Sequence, residues 1–163
     1  MKIEGIDLTS FVDLTDSQKS MILEWRNSEN IRKWMYRTEV ITEEEHFSFC
    51  DFLKHSQDKK YFLLSKNMDD IGVIYFVDIK DTESHFGFYA NPNTKIAGIG
   101  RILESVSINF AFKTLGIFVL KLEVFADNVK VRNLHKKYKF KETGTKYKNN
   151  KEIICMELKN ETR

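Results

Sequence analysis

Proline and cysteine are scarce in this 163-residue sequence: Pro92 is its only proline, and Cys50 and Cys155 are its only cysteines. Two cysteines this far apart indicate neither a disulfide framework nor a cysteine-based metal site, and the four histidines show no paired ligand spacing. We therefore expect no metal and a reducing compartment. With only seven glycines there is also no linker-like segment, so we expect residues 1–163 to form a single domain.

A long apolar run and an excess of charge of one sign are missing as well. No run reaches the roughly 18 apolar residues that span a bilayer, and the first residues lack the apolar stretch of a signal peptide. A cytoplasmic protein without a membrane partner is therefore expected. The 26 basic and 24 acidic residues nearly balance, which disfavours nucleic-acid binding and requires any anion site to be local.

Hydrophobic periodicity predicts a mixed α/β chain in which helices come first. Three helices are expected at residues 16–27, at residues 28–34 and from the capping box at Thr42 onward. An antiparallel meander of three strands follows, at residues 61–66, 72–79 and 84–90. The remaining expected elements are a helix from the glycine loop to about residue 113, a strand at 117–125, a helix at 128–138, and strands near 140–147 and 151–159.

Two glycines, Gly98 and Gly100, lie between the third of these strands and the amphipathic helix that follows. Without Cβ atoms they let backbone N–H groups approach an anion closely, and the start of the helix adds its free N–H groups and positive dipole end. The segment therefore indicates a pyrophosphate cradle, and the same pattern by itself is also typical of a plain turn.

The segment from Lys95 to Gly100 resembles the coenzyme A loop of the Gcn5-related N-acetyltransferase (GNAT) superfamily, with lysine in place of the usual arginine or glutamine. Residues 128–140 resemble the second motif of that superfamily, in which an asparagine opens a helix. Here His135 stands where tyrosine is usual, and Lys139 replaces a glycine. The resemblance implies an α/β GNAT fold: a mixed, mostly antiparallel central sheet of about seven strands flanked by helices, with strands 4 and 5 splayed around acetyl-CoA.

The same resemblance implies acetyl-CoA as the cofactor and a set of residues that bind it. Those residues are Phe88, Tyr89, Lys95, Ile96, Ala97, Gly98, Ile99, Gly100, Arg101, Asn128 and Lys130. Judged by charge alone, Lys130 is equally typical of a solvated helix face.

The N-terminal half narrows the resemblance to the nucleotide-sugar N-acetyltransferases of the pseudaminic acid pathway, through Trp25-Arg26-Asn27, Trp34-Met35-Tyr36 and residues 86–92. That family acetylates the 4-amino group of UDP-4-amino-4,6-dideoxy-N-acetyl-β-L-altrosamine. The resemblance implies that the substrate-binding residues are Arg26, Met35, Tyr36, His46, Phe49, Tyr89 and Glu123. The alternatives are a helix-end salt bridge for Arg26, a surface position for His46 and a place in the core for Phe49.

Acetyl transfer to an amine needs a neutral amine, a polarised carbonyl group and a proton for the departing thiolate. His135 is the first choice as proton donor because it lies seven residues after Asn128, nearly two turns along the same helix face. Tyr138 is the alternative donor, and both side chains could instead belong to the apolar stripe of this helix. Glu123 is expected to accept the substrate ammonium group or its proton, or else to pair with Lys121.

We therefore expect an acetyl-CoA-dependent N-acetyltransferase that acts by direct transfer on a UDP-linked amino sugar. The alternatives are acetylation of a protein N-terminus or ribosomal protein, and a non-catalytic coenzyme-A-binding module. Because related enzymes often form dimers, a homodimer is one expected assembly.

Overall fold

A computed structural model describes residues 1–161 of the chain. The strands are β1 (Lys2–Ile3), β2 (Ile6–Ser10), β3 (Lys60–Lys66), β4 (Asp69–Val77), β5 (Glu83–Ala90), β6 (Val119–Phe125), β7 (Lys141–Lys148) and β8 (Lys151–Lys159). The helices are α1 (Asp16–Asn27), α2 (Glu29–Arg32), α3 (Glu43–Leu53), α4 (Ile99–Asn109) and α5 (Val129–Lys137), with a 3-10 turn at Phe11–Asp13 and a π-helical segment at Phe110–Leu115. Within this described part of the chain, no helix is long and apolar enough to cross a membrane.

The eight strands form one sheet in the order β1-β2-β3-β4-β5-β6-β8-β7. Every neighbouring pair is antiparallel except β5 and β6, which are parallel. A parallel pair requires a crossover connection, and here α4 with its π-helical continuation supplies it. The mixed, mostly antiparallel sheet with flanking helices confirms the predicted fold class.

Each face of the sheet carries its own apolar cluster. On one face Leu64 packs in a cluster with Leu103 of α4. On the other face Leu63 packs in a cluster with Trp25 of α1 and Leu53 of α3. Because successive strand residues point to opposite faces, the neighbours Leu63 and Leu64 serve different clusters. Helices α1 and α3 therefore cover one face of the sheet, and α4 covers the other.

Short sequence signals set the ends of these helices. Thr15 and Gln18 form a capping box at the start of α1, and Thr42 and Glu45 form another at the start of α3. In both boxes the two side chains satisfy backbone N–H groups that the first helical turn leaves free. Gly116 ends the π-helical segment with φ +70°, in the left-handed region that favours glycine.

The structure departs from the element-by-element prediction near the N-terminus and at two boundaries. Strands β1 and β2 were not predicted, because β1 has only two residues and offers no alternating pattern. The turn expected at residues 67–70 is confined to Asn67 and Met68, both with positive φ, so that Asp69 and Asp70 join β4. The helix expected to reach about residue 113 changes to π-helical geometry after Asn109.

Replacing Gly116 by alanine should destabilise the protein through the backbone alone. A residue with a Cβ atom costs about 1–2 kcal/mol in the left-handed region, and no neighbouring atom lies within 4 Å of the added Cβ. Gly144 is the matched control, because a Cβ there also meets nothing within 4 Å and its φ is not positive. Urea denaturation should give a lower free energy of unfolding for Gly116→Ala only, and equal losses in both variants would contradict this explanation.

Candidate active site

The parallel pair of strands β5 and β6 opens along its length. The two strands pair at residues 83–85 and 119–121, and beyond these positions the described backbone shows no further pairing between them. A cleft of about 920 Å³ lies at the opening, lined by Leu103 and Leu134 from the α4 and α5 side and by Ile31 and Met35 from the α2 side. The cleft thus reaches both faces of the sheet, so two reactants can meet from opposite sides.

The glycine loop forms one end of this cleft. Gly98 has φ +75° and directly precedes the first residue of α4, so the free N–H groups of this helix face the opening. Gly100 packs against α5, where a Cβ atom would lie 3.2 Å from a methyl carbon of Leu134. Arg101 and Lys130 also line the cleft and add positive charge at this end. The arrangement suits an anionic group such as a pyrophosphate.

Most of the residues predicted to bind the cofactor line this cleft. Those that line it are Phe88, Tyr89, Ile96, Gly98, Ile99, Gly100, Arg101, Asn128 and Lys130. Asn128 precedes α5, and its side chain makes no capping bond to the helix, which leaves its amide free for a ligand. Lys95 and Ala97 belong to the same loop but are exposed outside the cleft lining.

His135 lines the cleft from α5 yet is only 5% exposed. Its Nδ1 atom lies 2.7 Å from Oε1 of Glu104, a carboxylate on α4 that is fully buried. Three phenylalanine rings surround the imidazole at centroid distances of 5.6 to 6.0 Å: Phe86, Phe88 and Phe140. The structure therefore combines both predicted features of His135, since it borders an apolar cluster and also faces the cleft.

Tyr138, the alternative proton donor, follows the end of α5 and is half-buried. Its hydroxyl group donates a 3.3 Å hydrogen bond to the backbone carbonyl of Arg101 in the first turn of α4. The ring packs against the apolar cluster on that face of the sheet. Tyr138 thus lies next to the glycine loop but outside the lining of the cleft.

Glu123 lines the cleft from β6 and joins three other polar side chains. Its Oε1 atom accepts a hydrogen bond from the hydroxyl group of Tyr36, and its Oε2 atom accepts one of 2.7 Å from Nζ of Lys146. His85 Nε2 lies 3.9 Å from the same Oε2. Lys121, the pairing partner considered from the sequence, instead forms a 2.7 Å ion pair with Glu83.

These contacts determine the charge of the Glu123 carboxyl group. Burial favours its neutral form, but the hydrogen bonds from Lys146 and Tyr36 outweigh burial and lower the pKa of Glu123. Burial, together with the hydrogen bond to this carboxylate, raises the pKa of Tyr36. Glu123 is therefore an anion at neutral pH, and Tyr36 is a neutral hydrogen-bond donor.

Arg26 lies behind the cleft wall, close to three tyrosines. Burial lowers the pKa of its guanidinium group, and the electrostatic influence of Tyr89 and Tyr75 partly offsets this effect. Nη2 donates a 3.2 Å hydrogen bond to the backbone carbonyl of Arg37, while the buried Nη1 has no hydrogen-bond partner. The predicted alternative, a salt bridge at the end of the helix, is not the arrangement found.

Tyrosine rings form the wall between Arg26 and the cleft. Tyr61 stacks on Tyr75 with ring centroids 4.9 Å apart, and Tyr89 lies 6.4 Å beyond. The hydroxyl group of Tyr75 occupies the space beside Gly87, where a Cβ atom would lie only 2.3 Å away. Glycine at position 87 therefore allows the Tyr75 ring to reach the opening between β5 and β6.

The other residues predicted to bind substrate lie at different depths on this side. Met35 lines the cleft. Phe49 lies outside the lining and packs edge-on against Tyr61, with ring centroids 4.9 Å apart. His46 is 5% exposed on α3 and lies outside the lining. Burial lowers the pKa of His46, and its buried Nε2 has no hydrogen-bond partner. His46 is thus not at the surface, its default position when judged from the sequence.

Sequence reasoning missed Glu104, Tyr75 and Lys146. Glu104 lies four residues after Gly100, on the same face of α4, and a carboxylate between the apolar residues Leu103 and Val106 is the signal that could have found it. Lys146 carried no such signal, because it lies on a fully exposed strand among other lysines. Across residues 1–161 no group of three His, Cys, Asp or Glu side chains could hold a metal ion.

Known proteins share this architecture. The family described as "Acetyltransferase (GNAT) domain" matches residues 11–141. Acetyltransferase PseH of Campylobacter jejuni strain 81-176 is 39% identical over 135 residues, which cover 83% of this chain and 84% of that protein. The crystal structure of C. jejuni N-acetyltransferase PseH in complex with acetyl coenzyme A has a TM-score of 0.77 and 34% identity, and the match covers 95% of this chain and 99% of that chain.

A more distant relative extends the likeness in fold alone. The spermidine N-acetyltransferase of Vibrio cholerae, in complex with CoA and spermine, has a TM-score of 0.85 at 17% identity. That match covers 96% of each chain.

Glu123 should make the stability of the protein depend on pH. Its folded pKa lies below the usual 4.5, so the stabilisation it contributes is present above pH 4.5 and is lost as the pH falls through the folded value. The difference in unfolding free energy between the wild type and Glu123→Gln, measured in urea from neutral to acidic pH, should shrink as the pH falls. The dependence should be weaker in a Lys146→Met background, and an identical dependence in both backgrounds would rule out the pairing as its cause.

Proposed function

Because the chain belongs to the GNAT acetyltransferase family, we propose that it transfers an acetyl group from acetyl-CoA to the 4-amino group of a UDP-linked amino sugar. The chain is an acetyl-CoA-dependent N-acetyltransferase, in keeping with its sequence similarity to the PseH proteins. The proposed acceptor is UDP-4-amino-4,6-dideoxy-N-acetyl-β-L-altrosamine, in pseudaminic acid biosynthesis. The observation that carries the proposal is a single cleft with a glycine loop at one end and the Glu123 carboxylate near the other.

The glycine-loop end suits coenzyme A. The left-handed backbone at Gly98 and the close packing at Gly100 leave a cradle for the pyrophosphate, with Arg101 and Lys130 near its negative charge. The side-chain amide of Asn128 makes no bond to the helix and would be available to the pantetheine arm. When bound, acetyl-CoA supplies an acetyl thioester whose thiol has an ordinary pKa of about 8.5. Its thiolate therefore leaves readily, and the transfer needs no covalent enzyme intermediate.

The opposite end suits an amino sugar. Glu123 is an anion with lone pairs beyond those that Tyr36 and Lys146 occupy, so it can accept the substrate ammonium group and direct its proton to water. Met35 and Tyr89 offer apolar surface to the sugar or the uracil ring. Arg26 has an unpartnered Nη1 and lies close to Tyr89, so it supplies the positive charge on this side for the nucleotide. Phe49 supports this wall by packing against Tyr61, and His46 stays a proposed substrate-binding residue.

The proposed chemistry is direct attack of the neutral amine on the thioester carbonyl. Beyond residue 85, the alternate backbone N–H groups of β5 that do not pair with β4 face the opening and can polarise that carbonyl oxygen. His135 gives a proton to the departing thiolate, and Tyr138 is the alternative donor.

The proposal also includes the assembly and location of the protein, a dimer in the cytoplasm. Light scattering of the purified protein tests whether it is a dimer.

Product analysis tests the proposed acceptor. The purified protein, acetyl-CoA and a panel of UDP-amino sugars should give a product one acetyl group heavier only with UDP-4-amino sugars, as detected by mass spectrometry. Peptides with free N-termini, including those of ribosomal proteins, form the comparison arm. Acetylated peptide with no acetylated sugar would favour the protein-acetyltransferase alternative, and no product from any acceptor would favour a non-catalytic coenzyme-A-binding module.

Replacing His135 by alanine should lower kcat by about 10²- to 10⁴-fold, the usual contribution of a positioned proton donor. The KM for acetyl-CoA should change little, because the glycine loop and Asn128 remain in place. Steady-state kinetics measure this effect, and His55→Ala is the control. His55 is an exposed histidine just after α3, so its loss should leave kcat unchanged. An unchanged kcat would transfer the role to Tyr138 or to solvent, and Tyr138→Phe distinguishes these two.

A further inference from the structure

We propose that Glu104 is a positioning residue that holds the His135 ring in the orientation needed to protonate the departing thiolate. This inference rests on the proposed function, in which His135 is the proton donor. Glu104 belongs to none of the motifs discussed above, and its contact with His135 is what points to it.

The distance between the two side chains shows which ring nitrogen of His135 contacts Glu104 and which is left for a ligand. Glu104 Oε1 lies 2.7 Å from Nδ1 of His135, a hydrogen-bond distance at which the ring N–H donates and the carboxylate accepts. Since Nδ1 is engaged, Nε2 is the ring nitrogen left for the cleft that His135 lines. A hydrogen bond at one ring nitrogen determines which nitrogen can exchange a proton with a ligand.

The surroundings of the ring leave this task to Glu104. The nearest rings are Phe86, Phe88 and Phe140, which limit rotation of the imidazole but offer it no conventional hydrogen-bond acceptor. Helix α4 carries Glu104 in the turn after the glycine loop. The end of the loop, at Gly100, and the Glu104 carboxylate therefore lie on the same helix. This helix couples the position of the acetyl-CoA site to the orientation of His135.

Packing alone does not explain a carboxylate at position 104. The side chain is fully buried, and its Oε2 atom has no hydrogen-bond partner. A buried polar atom without a partner destabilises the folded state, and a buried charge without full compensation does so more strongly. An apolar residue of similar size would fill the position at lower free-energy cost. The carboxylate therefore acts on its single partner, His135.

The proton transfer balances with this assignment. As the amide bond forms, the amine nitrogen loses one proton to solvent, and as the carbon–sulfur bond breaks, the sulfur gains one from Nε2 of the imidazolium ring. Glu104 remains a carboxylate throughout and keeps the proton at Nδ1 in place. The ring regains a proton at Nε2 from solvent, so the step from neutral amine to amide has no net proton change, and forming that amine from the substrate ammonium group releases one proton.

A spectrum of the histidine rings tests the orientation without any turnover. Protein labelled with nitrogen isotope at its four histidines gives four sets of ring signals, and His135→Asn identifies the set that belongs to His135. In the wild type the Nδ1 of that set should carry a proton strongly deshielded by the carboxylate. An Nδ1 without a proton would overturn the proposal, and this measurement needs no Glu104 variant to fold.

Kinetics then test whether Glu104 acts through His135. Glu104→Gln keeps the size of the side chain and should lower kcat by about 10- to 100-fold with little change in the KM for acetyl-CoA, the range lost when a histidine's orienting partner is removed at metal sites. In a His135→Ala background the same substitution should lower kcat less than about twofold, because its route of action is gone. An undiminished effect in that background would overturn the proposal.

Ser107→Ala is the matched control. Ser107 is also fully buried on α4, and its hydroxyl group donates only to the carbonyl of Leu103 in its own helix. The control should leave kcat and the His135 ring signals unchanged. A fall in thermal stability of Glu104→Gln with wild-type kcat would show a structural role and overturn the proposal. Absence of any acetylated sugar with the wild type would instead contradict the proposed function. The ring spectrum would still test whether Glu104 orients His135.

Discussion

The active site depends on the place where strands β5 and β6 stop pairing. Three parallel residue pairs hold the strands together at one end, and beyond them the backbone groups of the two strands no longer meet. Backbone N–H and C=O groups need partners, so an opening in the middle of a sheet is stable only where ligand or water can supply them. In the proposed function, the same opening offers N–H donors to a thioester carbonyl and lets the acceptor substrate approach from the other face.

Charged side chains around the opening are each held by a particular environment. Glu123 stays ionised because Lys146 and Tyr36 donate to it despite partial burial. Arg26 keeps an unpartnered Nη1 behind a wall of tyrosines. Glu104 is buried with a single partner, His135. In the proposed function Glu123, Arg26 and His135 serve the substrate amine, the nucleotide and the departing thiolate, respectively.

Local patterns were enough to predict the glycine loop, the helix that begins after Asn128 and most strand positions. These features follow from residues adjacent in the chain, such as Gly98 before an amphipathic helix. Pairings between distant residues could not be predicted in the same way. His135 and Glu104 are 31 positions apart, and Tyr36 and Glu123 are 87 positions apart. Their contact depends on how helices and strands pack, which hydrophobic periodicity describes only as buried or exposed faces.

The sequence by itself determined the order of helices and strands from α1 onward, the glycine loop and the family resemblance, because caps, glycines and hydrophobic periods act over a few residues. Only the tertiary structure decided how far β5 and β6 separate and which partner each ionisable side chain has. Glu123 contacts Lys146 and not the nearby Lys121, since β8 pairs with both β6 and β7 and brings the edge strand within reach of β6 side chains. Such partners depend on strand register across the whole sheet, and no local pattern specifies that register.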